Sequence, residues 1–184
     1  MIDEPAHIDE WRPDAADVDA DLDALAEILH AAVHGGAGVS FVVPFALDEA
    51  RRFWRDRVLP GVRDRSRRVL VARIEGRIVG TVQLDLPWPP NQPYRADVGK
   101  MLVHPSARRR GIARRLMLAL EELARGEGRT LLMLDTVTGS HAEALYRSLG
   151  YTVYGVVPGF ALGSLTNAPE DCTFMYKALT TAGS

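Results

Sequence analysis

Cysteine occurs once in the 184 residues, at Cys172. That excludes an intrachain disulfide and any zinc or iron–sulfur site built on several cysteines. No apolar run approaches the roughly 18 residues of a membrane-spanning helix. The first residues show no basic start followed by an apolar stretch. The expectation is a cytoplasmic protein without a membrane partner. Lysine is scarce, two residues against 20 arginines, and no internal repeat or low-complexity tract is present. What remains is ordinary for a globular chain, with 47% hydrophobic and 25% charged residues. At this length about 70% of the unfolded surface can be buried, so a core needs no metal to hold it. A single domain over 1–184, with an acidic lead-in over 1–18, is the simplest organisation.

The net charge of −2 conceals a division. Residues 1–27 hold ten acids against one base, Arg12, which leaves 14 acids and 21 bases for the rest. A cationic body favours an anionic partner, and arginine's planar fork suits phosphate. The acidic lead-in and most of the arginines read as solvated surface.

Periodicity orders the elements. A short strand is expected near Ile8–Arg12. Leu22, Leu25, Leu29, Ala32 and Val33 predict a helix over Asp19–Val33, stopped by Gly35-Gly36. A second helix is expected over Asp48–Val58, with Pro60-Gly61 as its stop. The runs Arg68–Ile74 and Arg77–Leu86, split by Glu75-Gly76, predict a β-hairpin. A proline-rich loop over 87–93 follows, then a strand over Ala96–His104 and a helix over Arg110–Arg125. Thr130–Asp135 reads as a strand that closes on a carboxylate, and His141–Leu149 as a short helix. Tyr151–Val157 and Cys172–Leu179 complete the strands, with a loop over 158–170.

The most informative stretch is Lys100-Met-Leu-Val-His-Pro-Ser-Ala-Arg-Arg-Arg-Gly-Ile-Ala-Arg-Arg115. A buried strand runs into a turn of arginines and Gly111, and a helix starts at once. Helix N-termini expose unpaired N–H groups and partial positive charge. A glycine there lets an anion approach the backbone, which makes a phosphate cradle. Arg108, Arg109, Arg110, Arg114 and Arg115 add full charges around it. The P-loop pattern and the Gly-x-Gly-x-x-Gly fingerprint are both absent.

This stretch resembles the GCN5-related N-acetyltransferases (GNAT), whose signature Gln/Arg-x-x-Gly-x-Gly/Ala stands here as Arg108-Arg-Arg-Gly111-Ile-Ala113. A second family element is similar in Ala142-Glu-Ala-Leu-Tyr146-Arg-Ser-Leu-Gly150-Tyr151. The resemblance covers about residues 68–178. It implies an α+β fold, with a mixed and mostly antiparallel sheet of about six or seven strands flanked by helices. A splayed parallel strand pair would form the acetyl-CoA cleft. By resemblance, the backbone of residues 109–114, Ile112 and Ala113 included, would hold the pyrophosphate. Leu102 and Val103 would pair with the pantetheine arm. The family's asparagine is Gly139 here, and Ser140 is the candidate substitute. A closer resemblance is to the tabtoxin-resistance type of acetyltransferase, carried by Val33–Phe41, Tyr94–Pro105 and Leu131–Tyr151. It implies a small, amino-acid-like amine as acceptor.

Acetyl transfer to an amine needs a group to take the ammonium proton and a donor for the departing thiolate. By resemblance these are Asp97, Asp135 and Tyr146. Each has a plainer alternative: Asp97 paired with Arg95, Asp135 capping the next turn, Tyr146 as a core aromatic. A carboxylate ending a buried run would have its pKa raised if poorly solvated. Ser40, Phe41, Tyr94 and the loop 87–94, with Trp88, flank the expected cleft and are candidates for the acceptor wall. His30 and His34 lack a third ligand, so no metal is expected. Two other functions stay open: an acetyl-CoA sensor without turnover, and nucleic-acid binding through the arginine-rich helix. Glu121 and Glu122 make that helix a poor groove reader, and no nucleic-acid partner is expected. The assembly is expected to be a monomer or homodimer.

Overall fold

The computed structural model describes residues 6–13, 18–86 and 89–180. Pro87 and Trp88 of the expected acceptor wall lie outside these residues, as do Asp3, Glu4, Asp14 and Asp17 of the acidic lead-in. In chain order the elements are β1 (His7–Glu10), α1 (Val18–His34), α2 (Leu47–Phe53), α3 (Leu59–Arg63), β2 (Arg67–Ile74), β3 (Arg77–Asp85) and β4 (Arg95–Val103). They continue with α4 (Ile112–Gly126), β5 (Leu131–Val137), α5 (His141–Ser148), β6 (Thr152–Leu162) and β7 (Pro169–Ala178). The strands form one seven-stranded sheet in the order β1-β2-β3-β4-β5-β7-β6. Every neighbouring pair is antiparallel except β4 with β5. The fold is therefore α+β, a mostly antiparallel sheet flanked by helices, as expected.

Alternation along the strands sends side chains to two cores. Leu70, Val82, Leu84, Ala96, Leu132, Leu134 and Met175 meet Ile112, Leu116 and Leu120 of α4 on one face. Val69, Val71, Ile78 and Leu102 meet Leu25, Leu29 and Val33 of α1, with Trp54, on the other. The hairpin turn between β2 and β3 places Glu75 and Gly76 at φ 49° and 77°, the two left-handed residues that such a turn requires.

Three expectations change. Pro60-Gly61 does not stop the second helix. A π-helical turn over Trp54–Val58 intervenes, with the Leu59 N–H donating to Trp54 O, and Pro60 falls in the first turn of α3. A first-turn proline lacks only an N–H that has no intrahelical partner. The loop expected over 158–170 shrinks to 163–168, because β6 and β7 pair through it around an irregularity between Val157 and Ala161. Asp135 does not close β5, which continues to Val137 in register with β7.

The two described acids of the lead-in, Asp9 and Glu10, are not free surface charges, and the acids of α1 behave alike. All six described acids of residues 1–27 pair with arginines of the body. Asp9 lies 3.6 Å and Asp21 2.7 Å from Arg73, and Glu10 lies 2.7 Å from Arg68. Asp19 and Asp23 share Arg51 at 2.8 and 2.5 Å, and Glu27 pairs with Arg77. Asp21 is buried, takes both terminal nitrogens of Arg73 and accepts from Trp11 Nε1 at 3.1 Å. Asp21→Asn leaves Arg73 without its fork partner. Its expected cost is about 2–3 kcal/mol, as for hydrogen bonds to a charged group. Thermal denaturation should show a Tm lower by roughly 4–12 °C.

Candidate active site

The parallel pairing of β4 with β5 lasts for three residue pairs, Arg95–Leu131, Ala96–Leu132 and Asp97–Met133. Beyond it the strands part, and the β5-facing backbone groups of Val98–Val103 have no strand partner. A backbone polar group left so is costly unless something else bonds it. On its other side β4 carries a bulge: Gly99 faces Gln83 and Leu102 faces Thr81, so β4 holds one residue more than β3 between these pairs. Lys100, in the bulge, has φ 48°. The opening is a cleft of about 510 Å³, lined by both strand ends, the loop after α1 and the start of α5. Its roof is tight, since a Cβ on Gly38 would lie 2.4 Å from Val137 Cγ2. Only a glycine fits there.

At one end of the cleft the chain leaves β4 through a 3₁₀ turn over Pro105–Ala107 and enters α4. Arg109 and Gly111 both take left-handed backbone, φ 61° and 72°. The helix ladder opens with Arg115 N–H donating to Gly111 O at 3.1 Å, so the N–H groups of Ile112, Ala113 and Arg114 precede it without intrahelical acceptors. A Cβ on Gly111 would meet nothing of this chain within 4 Å, so the space in front of it is open to a ligand. The Ile112 side chain is buried under the sheet, which leaves only its backbone for binding. Arg108 lines the cleft and donates from Nε to Val103 O at 3.2 Å, and Arg114 reaches Ser148 Oγ at 2.7 Å. Arg109 is exposed and Arg110 half-buried in the same turn. Free N–H groups, an open glycine and clustered arginines fit a pyrophosphate. The edge of β4 at Leu102 and Val103, which has no strand partner on the β5 side, fits an amide-bearing arm.

Asp135 and Tyr146 both line the cleft, from β5 and α5. The Asp135 side chain is exposed and makes no hydrogen bond or ion pair among the described residues, so the turn-capping alternative fails. Tyr146 is buried, its ring 5.7 Å from that of Tyr151. Burial pushes its phenol well above the usual tyrosine range, with a smaller contribution from the Asp135 charge. At neutral pH it carries its proton and can donate it. The core and cleft roles thus coexist in one side chain. Ser140 also lines the cleft, as the N-cap of α5, accepting from Glu143 N–H at 3.2 Å with Thr136 Oγ1 at 3.2 Å.

Three candidates fall elsewhere. Asp97 sits where β4 and β5 are still paired and does not line the cleft. Arg95 holds it at 2.7 Å. Tyr94 is exposed at the opposite end of β4, where its carbonyl accepts from the N–H groups of Thr130 and Leu131. Phe41 turns its ring onto Phe45 and Phe53, at centroid distances of 4.6 and 5.1 Å. Of the three acceptor-wall candidates Ser40, Phe41 and Tyr94, only Ser40 lines the cleft. Sequence reasoning missed Lys100, which also lines it. The only signal was a lysine inside an apolar run, in a chain with two lysines. It missed as well the aromatic surface beside Asp135: Phe174 lies directly opposite on β7, with Tyr154 and Phe160 around it.

Residues 25–151 match the profile of the Acetyltransferase (GNAT) family. A relative from Azospirillum brasilense, an uncharacterized N-acetyltransferase of the hisH-hisA intergenic region, is 38% identical over 118 residues, 62% of this chain and 67% of its own. Ribosomal-protein-alanine N-acetyltransferase from Brucella melitensis superposes with a TM-score of 0.76 at 27% identity, over 94% of this chain and 99% of its own. The yncA protein of Salmonella typhimurium, solved with its cofactor acetyl-CoA, superposes with a TM-score of 0.74 at 23% identity, over 98% of each chain. If the α4 start binds acetyl-CoA, Gly111→Val should weaken that binding at least about tenfold by calorimetry. Strain at a left-handed position should cost the fold only about 1–2 kcal/mol.

Proposed function

Because this chain belongs to the GNAT acetyltransferase family, we propose that it transfers the acetyl group of acetyl-CoA to the amine of a small molecule, by direct attack in a ternary complex. The observation that carries this reading is the pairing of roles across one cleft, with a carboxylate on β5 that has no partner among the described residues and a protonated, buried phenol on α5. The family uses acetyl-CoA, which supplies an activated thioester when bound. Leu102, Val103 and residues 108–114 bind and orient it, through backbone N–H groups and the arginine charges. Asp135 takes the proton that the acceptor's ammonium must lose before its nitrogen can attack. Tyr146 gives its hydroxyl proton to the departing sulfur. Asp97, already neutralised by Arg95, acts at most through a water from outside the cleft wall. Ser40 supports the acceptor side, and Ser140 fixes the start of α5. The tabtoxin-resistance type, with an amino-acid-like toxin or antibiotic amine as acceptor, is the finer assignment we favour.

Thiol release from acetyl-CoA across a panel of amines tests the reading. Asp135→Asn and Tyr146→Phe should each lower kcat by about 10²–10⁴-fold while acetyl-CoA affinity stays within about threefold. Tight acetyl-CoA binding with no release for any amine would instead point to a sensor.

A further inference from the structure

Two ion pairs on the α1 face of the sheet lie close to the cleft. Arg67 pairs with Asp85, and Arg95 with Asp97. Lys100 and Asp135 have no ion-pair partner among the described residues. They stand on the two strands that part to form the cleft, and both line it. Lys100 Nζ donates to Ser40 Oγ at 3.3 Å and lies 5.6 Å from the Phe53 ring centroid, with no carboxylate in ion-pair contact among the described residues. A hydroxyl and a ring face solvate an ammonium only in part. Burial lowers the pKa of this amine, while the charges of Asp135 and Asp85 act in the opposite direction.

The backbone singles out the same place. Lys100 at φ 48° and Ser40 at φ 74° are two of the six described non-glycine residues with left-handed backbone, and they touch across the cleft. Such conformations are costly for residues with a Cβ and persist where the surroundings enforce them. The bulge that imposes this geometry on Lys100 also re-aims its side chain, as bulges do. Regular alternation would give the position a different direction.

We propose that Lys100 is a specificity residue that docks an anionic group of the acceptor, so that the acceptor is a zwitterion whose carboxylate meets Lys100 while its amine meets Asp135. The inference rests on the acetyl-transfer reading and narrows it. A cation and a carboxylate in one cleft, each without an ion-pair partner among the described residues, complement a molecule bearing both charges. A simple amine would leave the lysine charge desolvated and unpaired, and a polyamine would be repelled by it.

The test uses pairs of probes that differ only in the carboxylate: L-lysine with cadaverine, L-histidine with histamine, L-phenylalanine with phenethylamine. Both kcat/KM for thiol release and Kd in the presence of CoA are measured. At least one carboxylate-bearing member should exceed its partner by about 30-fold or more, as expected for a buried charge pair. Lys100→Met should bring that ratio near one, mainly through KM, and Lys100→Arg should restore much of it. Lys100→Gly, which removes side chain and backbone strain together, should match Lys100→Met and guards against a folding defect. Equal loss for both members of a pair would make Lys100 structural or chemical and overturn the proposal. Preference for decarboxylated amines, or no pair differing in Kd, would overturn it too. Absence of thiol release with every amine would count against acetyl transfer itself, while the Kd ratios would still decide for or against Lys100.

Discussion

The site depends on one constraint, the parting of β4 from β5 after three residue pairs. Parallel pairing that continued to Val103 would satisfy the backbone of β4 and leave no cleft. Two features hold the strands apart. The bulge at Lys100 changes the course of β4, and the loop over Gly35–Phe41 sits on the end of β5, with Gly38 against Val137. Meanwhile β5 keeps its full pairing with β7, so its path is fixed from the other side. The cleft is the sum of a strand that turns and a strand that cannot follow.

Around that opening the molecule divides its labour by layer. The α4 layer brings N–H groups and arginines to one end of the cleft, and α5 brings Tyr146 to its wall. The α1 layer brings the Gly35–Phe41 loop, and with it Ser40. That layer is fastened to the sheet by ion pairs as well as by its apolar face. Exposed pairs of this kind contribute little singly, but the buried bond from Arg73 to Asp21 ties α1 to β2 in one orientation. An acidic N-terminal stretch and an arginine-rich body therefore complete each other, and the anionic partner of much of the arginine is the chain itself.

The parts of the site that were legible in the sequence are those written in contiguous residues. The turn Arg108–Ala113 announces itself, because strand, glycine and helix start follow one another directly. Asp135 and Tyr146 came from the family resemblance, and both line the cleft. Where the sequence misled, distance along the chain stood in for distance in space. Asp97 is near the motif in number, but the strands have not yet parted at its position. Tyr94 lies in the same continuous run, yet at the far end of the strand. Phe41 follows Ser40 directly, yet its ring joins the aromatic contacts of α2 instead of the cleft. Lys100 stayed hidden because a bulge shifts the alternation by one residue, and no period reveals that shift. The pairing of the acidic lead-in joins residues up to 58 positions apart, beyond any local pattern.

The central claim is that acetyl-CoA occupies the opening between β4 and β5 with its phosphates at the start of α4. Hydrogen–deuterium exchange with and without acetyl-CoA tests it most directly. The account predicts new protection confined to Gly99–Val103, to residues 109–114 and to the start of α5. Protection that spares β4 and the α4 start, or that falls instead on β6 or around Asp21 and Arg73, would contradict it.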